Sequence, residues 1–390
     1  MSKILFGWEL GGGHGHVRTL LPIARELAAR GHTPVFAVRN VPDVWPVLRR
    51  EGFAVLAAPF WHRRNARVRG AFHARSFEDL LSFHGWGEPD ELEALLRAWD
   101  ALIDLVHPAG VVLDHAPALC LAAMGRVPSV QVGTGFSVPP AHLPEFPVMD
   151  PNAEPVMAAR DLVASIQEVQ RRRHQAVPDA VPGIFRAATR CLTILPELDP
   201  YAGNRTEKPM GPADAPPAPL APPRAPRWFA YMTAEQESAE KMLLEFAGTG
   251  IPGEAYVRGA GPALRERMLD AGIDIHDQPA PMHEVLPRAS VVVHNGGIGL
   301  TTAALGAGRP QILVPQHLEQ RLTAGLLVKM GVALSVTDRE SPGSLLRRLV
   351  KGTLYMMEAQ DRAESVRKRG PWEAGRRIVE AISGEFPDLT

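Results

Sequence analysis

The chain has 390 residues, which at roughly 150 per domain points to two or three domains. Its composition, 45% hydrophobic and 22% charged, is that of a globular protein and excludes wholesale disorder. With 42 Lys and Arg against 43 Asp and Glu the net charge is −1, so there is no whole-molecule drive toward nucleic acid or an anionic membrane, and no nucleic-acid partner is expected. Cys120 and Cys191 are too few for a disulfide framework or a Cys-x-x-Cys metal site, which predicts a cytoplasmic chain. No apolar run reaches the ~20 residues that span a bilayer, and the first one is too short for a signal peptide.

Residues 3–8 are a short apolar run closed by Gly11, Gly12 and Gly13, the pattern of a buried strand. Val17, Leu20, Leu21, Ala24, Leu27 and Ala28 then recur at helical spacing, and Gly31 ends that helix. Strands follow at 34–38 and 53–57, a helix near 91–106, a strand at 110–114, a helix near 116–124 and a strand at 128–132. Apolar strands alternating with amphipathic helices predict βαβ units and a parallel sheet covered on both faces.

Residues 209–226 break the alternation. Pro209, Pro212, Pro216, Pro217, Pro219, Pro222 and Pro223 exclude helix and central strand, which leaves an extended, semi-rigid linker or surface loop. The alternation restarts with a strand at 227–232, a helix at 235–246, a strand at 254–257, a helix at 262–269 and strands at 273–276 and 290–293. A helix from about Gly299, a strand at 311–314, a helix near 319–330 and helical patterns to the C-terminus complete it. The predicted class is α/β: two Rossmann-like, doubly wound halves, residues 1–205 and 227–370, joined by a linker at 206–226 and followed by a helix at 371–390. Such halves imply a cleft between them, with ligands outside the carboxyl ends of the strands.

Two glycine-rich loops open helices. In the first, Gly12, Gly13, His14, Gly15 and His16 join the first strand to the first helix, where glycines let a ligand approach the backbone. A dinucleotide fingerprint fails here, because His16 takes the third glycine's place and residues 33–40 hold no acid; the Gly-Lys-Ser/Thr of a P-loop is missing as well. The second loop runs His294, Asn295, Gly296, Gly297, Ile298, Gly299, with Thr301 and Thr302 at the helix start. Its backbone N–H groups and helix dipole suit a diphosphate. Further on, Glu319 and Gln320 form an acid–amide pair at a strand end, suited to sugar hydroxyls; taken alone it reads more simply as an exposed first helical turn.

Together these residues resemble the nucleotide-sugar glycosyltransferases of the GT-B fold. The chain is most similar to the bacterial antibiotic, macrolide and sterol branch related to the UDP-glucuronosyltransferase and plant glycosyltransferase family. The family's N-terminal signature stands as Gly15-His16-Val17 and Arg30-Gly31-His32, and its donor signature as residues 294–299, Gly308-Arg309-Pro310-Gln311 and Glu319-Gln320. Asn295 replaces the usual second histidine, Ala303 the glutamate that holds ribose hydroxyls in many plant members, Met282 a glutamine before the donor loop, and Arg18-Thr19 the usual Asn-Pro. The resemblance implies an acceptor-binding N-terminal domain, a donor-binding C-terminal domain and a last helix that packs back on the N-terminal domain. It also implies an inverting transfer of a hexose from a UDP- or dTDP-sugar to a small-molecule acceptor.

In such a reaction His16, at a helix N-terminus where the dipole disfavours imidazolium, is the candidate base, and the resemblance makes Asp114 its orienting partner. The diphosphate falls to His294, Asn295, Gly296, Gly297, Gly299, Thr301 and Thr302, the donor sugar to Glu319 and Gln320, and the nucleobase to the segment at Met282. Trp86 and Phe136 are candidates for an acceptor pocket. No metal or other cofactor is expected: His14 and His16 have no third ligand by spacing, and helix N–H groups can replace a divalent ion. The stretch Phe60-Trp61-His62-Arg63-Arg64, with Arg67, Arg69 and Arg75, has the charge to meet an anionic acceptor or membrane, although a solvated loop is the more common explanation. Arg171, Arg172 and Arg173 read as an exposed helix face. Rival readings are an epimerase or hydrolase on the same fold, and a non-catalytic homologue that binds a nucleotide sugar or assists a partner enzyme.

Overall fold

A computed structural model of the chain describes residues 2–12, 15–60, 72–186, 188–234, 238–337 and 339–386. It divides into two compact units, Met1–Ala213 with Glu373–Thr390, and Asp214–Trp372.

The first unit is built on six parallel strands, β1 (Lys3–Trp8), β2 (Thr33–Val38), β3 (Ala54–Ala57), β4 (Gly110–Leu113), β5 (Ser129–Gly133) and β6 (Thr189–Leu192). Their order is β3-β2-β1-β4-β5-β6. Helices α1 (Gly15–Ala29), α2 (Val41–Arg50), α3 (Phe77–Phe83), α4 (Pro89–Val106), α5 (Pro117–Ala123) and α6 (Ala159–Arg172) surround it. The sheet is apolar on both faces because successive side chains alternate. Leu5, Ala37, Val111 and Leu113 pack with Trp99 and Leu119, while Ile4, Phe6, Phe36 and Val112 pack with Val17, Leu20 and Leu27 of α1.

The second unit repeats the plan with β7 (Trp228–Thr233), β8 (Gly253–Arg258), β9 (Ile273–Ile275), β10 (Val291–His294), β11 (Gln311–Leu313) and β12 (Ala333–Ser335), in the order β12-β11-β10-β7-β8-β9. Its helices are α7 (Ala239–Ala247), α8 (Pro262–Asp270), α9 (Met282–Val285), α10 (Ile298–Gly306), α11 (Leu318–Lys329), α12 (Pro342–Lys351) and α13 (Thr353–Arg369). The last helix, α14 (Ala374–Glu385), returns to the first unit, where Ala374, Ile378, Val379, Ile382 and Phe386 join the core beneath α1.

Both sheets are the doubly wound arrangement read from the sequence. Each reverses its strand order once, between β1 and β4 and between β7 and β10, and in open α/β sheets that reversal opens a crevice at the carboxyl edge. The edge strand β12 and the polar β6 carry too little apolar pattern to be read in advance, and α7 begins at Ala239, not at 235. The proline-rich segment is no detached tether. Arg309, fully buried, donates from Nη1 to Leu220 O at 3.1 Å, from Nη2 to Ala221 O at 2.9 Å and from Nε to Leu286 O at 2.8 Å. Gln360 Nε2 adds bonds to Leu220 O and Gly308 O. A proline-rich stretch is poor in N–H donors, so side chains elsewhere in the second unit supply them. Arg173 is also corrected: it is buried and paired with Asp100 Oδ1 at 2.6 Å, while Arg171 and Arg172 face solvent.

Candidate active site

In the first unit, the loop after β1 and the loop after β4 meet at the reversal point. His16 stands in the first turn of α1, and Asp114 directly follows β4, held in the ladder by its N–H to Gly7 O at 3.0 Å. His16 Nδ1 lies 3.0 Å from Asp114 Oδ2, with the side chains 17% and 3% exposed. The other carboxylate oxygen accepts from Ser137 Oγ at 3.1 Å. A buried carboxylate at this distance calls for a proton on Nδ1, so Nε2 carries the lone pair of the neutral ring. Nε2 faces Gly11. Gly11 has φ +84°, and a Cβ there would stand 2.5 Å from Nε2, so only glycine lets the ring take this position. Trp8 stacks on the His16 ring at 5.3 Å and donates from its indole to Leu10 O at 2.6 Å, which fixes the loop from the strand side.

Three residues here were not singled out in the sequence. Besides Ser137, Glu9 lies buried under the loop and accepts from Ala118 N at 3.0 Å and Leu119 N at 2.5 Å. It thereby ties the β1 loop to the start of α5, the segment that follows Asp114. Burial pushes its carboxyl up to about 8, against the opposing pull of the two amides. His115, in the left-handed region at φ +50°, has its ring 5.6 Å from His16 and 5.9 Å from Phe136. The signal available for Glu9 was an acid immediately following an apolar strand, and for His115 its adjacency to Asp114. Phe136 is thus near the pair, packed on Phe77 and His115. Trp86, the other candidate, is buried in the core with Leu96 and Trp99, and its carbonyl accepts from Ser165 Oγ at 2.7 Å. Gly12 and Gly15 are exposed with open space around their α-carbons; Gly13, His14 and residues 61–71 of the Arg-rich stretch lie outside the described residues.

In the second unit, β10 ends at His294 beside β7, and the glycine turn leads into α10. His294 is a further correction. It is buried, its Nε2 donates to Gln311 Oε1 at 2.8 Å, and its Nδ1 accepts from Gly296 N at 3.0 Å. Burial pushes its pKa down to about 4, so the ring is neutral and spent on holding the turn; it presents no donor outward. Gly296, at φ +88°, would bring a Cβ to 3.2 Å from Gln320 O. Gly297 and Gly299 instead have nothing within 4 Å of a Cβ position and stand at the start of a nine-residue helix whose first N–H groups have no partner within it. Among the described residues Asn295 Oδ1 and Thr301 Oγ1 are buried without a hydrogen-bond partner at the same place, and Thr302 is buried beside them. Glu319 and Gln320 form the first turn of α11, where Gln320 Oε1 accepts from Gln316 N at 2.8 Å. Met282 opens α9 and packs against the cluster of Phe229 and Val292.

Among the described residues no group of three or more His, Cys, Asp or Glu is arranged to hold a metal ion, and no helix is long and apolar enough to cross a membrane.

Residues 266–380 match the family described as Erythromycin biosynthesis protein CIII-like, C-terminal domain. The chain is 24% identical to the oleandomycin glycosyltransferase of Streptomyces antibioticus over 400 aligned positions, covering 96% of this chain and 89% of that one. It is 26% identical to the vancomycin aglycone glucosyltransferase of Amycolatopsis orientalis over 289, covering 65% and 68%. Among solved structures, CalG4, the calicheamicin glycosyltransferase, matches with a TM-score of 0.70 at 19% identity, covering 100% of this chain and 99% of that one. The chain has the GT-B fold, and its sequence is similar to those of antibiotic glycosyltransferases.

Proposed function

We propose that the chain is a metal-independent inverting hexosyltransferase. It moves a hexose from a UDP- or dTDP-linked donor to a hydroxyl of a small natural-product or lipid acceptor. The observation that carries this reading is the His16–Asp114 pair at the strand-order reversal of the first unit, with Nε2 of His16 as the basic nitrogen.

His16 Nε2 takes the proton of the acceptor hydroxyl as its oxygen attacks the anomeric carbon. The bond from that carbon to the diphosphate oxygen breaks on the opposite face, and the diphosphate leaves with the electron pair. Asp114 holds the Nδ1 proton and stabilises the imidazolium that forms; Ser137 holds Asp114. The leaving diphosphate is met by the N–H groups at Gly297 and Gly299, by the side-chain NH2 of Asn295 and by the Thr301 hydroxyl. The positive end of α10 serves there in place of a divalent cation. Gly296 and Thr302 shape this loop, Glu319 and Gln320 receive the sugar hydroxyls, and the segment at Met282 lies along the nucleobase. The names of the two relatives, a vancomycin aglycone glucosyltransferase and an oleandomycin glycosyltransferase, support a natural product as acceptor.

The test is incubation with UDP-glucose and dTDP-glucose in excess EDTA, with and without a panel of hydroxylated acceptors. Acceptor-dependent release of UDP or dTDP, with a β-linked product by NMR, is expected. Retained α-configuration would remove the inverting mechanism. Release without acceptor would favour the hydrolase reading. Donor binding without release across the panel would favour the non-catalytic homologue, a reading that Asn295 and Ala303 leave open.

A further inference from the structure

Arg39 directly follows β2, on the carboxyl edge of the first sheet, next to β1. Its Nη1 donates to Gly11 O at 3.0 Å, and its guanidinium carbon stands 4.0 Å from the centre of the Phe60 ring. Phe60 in turn meets the edge of His84 at 5.7 Å. Burial, together with the charge of Arg39, holds His84 down to about 4, so the imidazole is a neutral aromatic wall. Arg39 has no carboxylate within ion-pair distance among the described residues, whereas Arg25, Arg126, Arg173 and Arg205 of the same unit all have one. The sequence beside Phe60 supplies none either, since no Asp or Glu occurs between Pro59 and Ser76. Burial alone lowers the Arg39 pKa, so the cost of its partial desolvation is not offset by a counter-charge.

We infer that Arg39, with Phe60 and His84, is an anion-reading acceptor subsite, and that the acceptor is a hydroxylated aromatic molecule carrying a carboxylate. A guanidinium presents a planar fork that a carboxylate meets with two parallel hydrogen bonds, and among the described residues one of its donors is taken up, by Gly11. The rings of Phe60 and His84 beside it suit a flat carrier. Gly11 is also the residue that His16 Nε2 faces, so an acid held by Arg39 brings its carrier alongside the proposed base. This inference rests on the reading of His16 as the acceptor's base only for the direction in which the hydroxyl points.

The test is binding to the full chain without donor, by saturation-transfer NMR and calorimetry, using 4-hydroxycinnamate and 6-hydroxy-2-naphthoate against their methyl esters. The acids are expected to bind about tenfold tighter than the esters. Arg39→Gln should abolish the difference while leaving ester binding, and Arg39→Lys should keep part of it. UDP affinity and the circular dichroism of each variant report folding. His16→Ala should keep the acid-over-ester preference whatever it does to absolute affinity, so loss of turnover in that variant and loss of acid preference in Arg39→Gln are separate results. Equal binding of acid and ester to the wild type, or an acid preference that survives in Arg39→Gln, would overturn the subsite whatever His16 does.

Discussion

A carboxylate buried beneath the first glycine loop makes the first unit sensitive to pH. Glu9 is held at about 8, against an ordinary 4.5, because burial outweighs its two amide bonds. Between those values the folded chain keeps a proton that the unfolded chain releases. The stability contributed by neutral Glu9 is therefore full below the unfolded value and is lost as pH rises through the folded one. The slope is at most ~1.4 kcal/mol per pH unit. In urea unfolding at pH 5, 6.5 and 8, the advantage of the wild type over Glu9→Gln is expected to decline steadily; an advantage constant with pH would mean that Glu9 ionises normally. At this scale the sequence supplied His16 and Asp114, because each sits at a strand end in a recognisable motif. It could not supply Ser137 or Glu9. Their partners lie 23 and about 110 residues away, and only the packing of α5 and the β5 loop against the sheet brings them together.

The turn into α10 separates two kinds of glycine, and substitution tells them apart. Gly296 is required by its own backbone: at φ +88° an alanine is strained and also meets Gln320 O, a cost of ~1–2 kcal/mol that should lower the melting temperature. Gly297 has an ordinary backbone, φ −64° and ψ 135°, and open space around it. Gly297→Ala is expected to leave the melting temperature unchanged while weakening UDP binding at least tenfold, because the methyl group fills the space proposed for the diphosphate. Unchanged UDP affinity in Gly297→Ala by calorimetry would place the ligand elsewhere. The elements themselves were legible wherever a fully apolar strand met a glycine turn, as at β1, β4 and β10. Legibility failed at β12, with three residues, at β6, whose Arg190 and Thr189 carry no apolar pattern, and at α2, where Pro42 and Pro46 disguise a helix. It also failed for His294, since a motif gives the residue but not the direction of its ring.

The chain leaves the first unit at Ala213 and returns to it at Glu373, so the first core is completed only when the C-terminus is in place. Ile382, fully buried beneath α1, makes this measurable: Ile382→Ala is expected to cost ~2–5 kcal/mol in the unfolding of the first unit and to leave UDP binding intact. A matching loss of UDP affinity would mean that the units do not hold their sites independently. The two-unit plan was visible in the sequence because the βα alternation stops at the prolines and restarts. The clamp by Arg309 was not, since an arginine inside a Gly-x-Pro-Gln motif gives no sign that it holds a segment some 90 residues earlier. The central claim, that the first unit provides a base and the second a diphosphate site, is tested most directly by His16→Ala, measured for turnover and for UDP affinity in the same preparation. The base acts only as the acceptor proton moves, so kcat should fall about 10²–10⁴-fold while UDP affinity stays at the wild-type value. Asp114→Asn should cost less and add little to His16→Ala, since it works through the same ring. Wild-type kcat in His16→Ala would contradict the account.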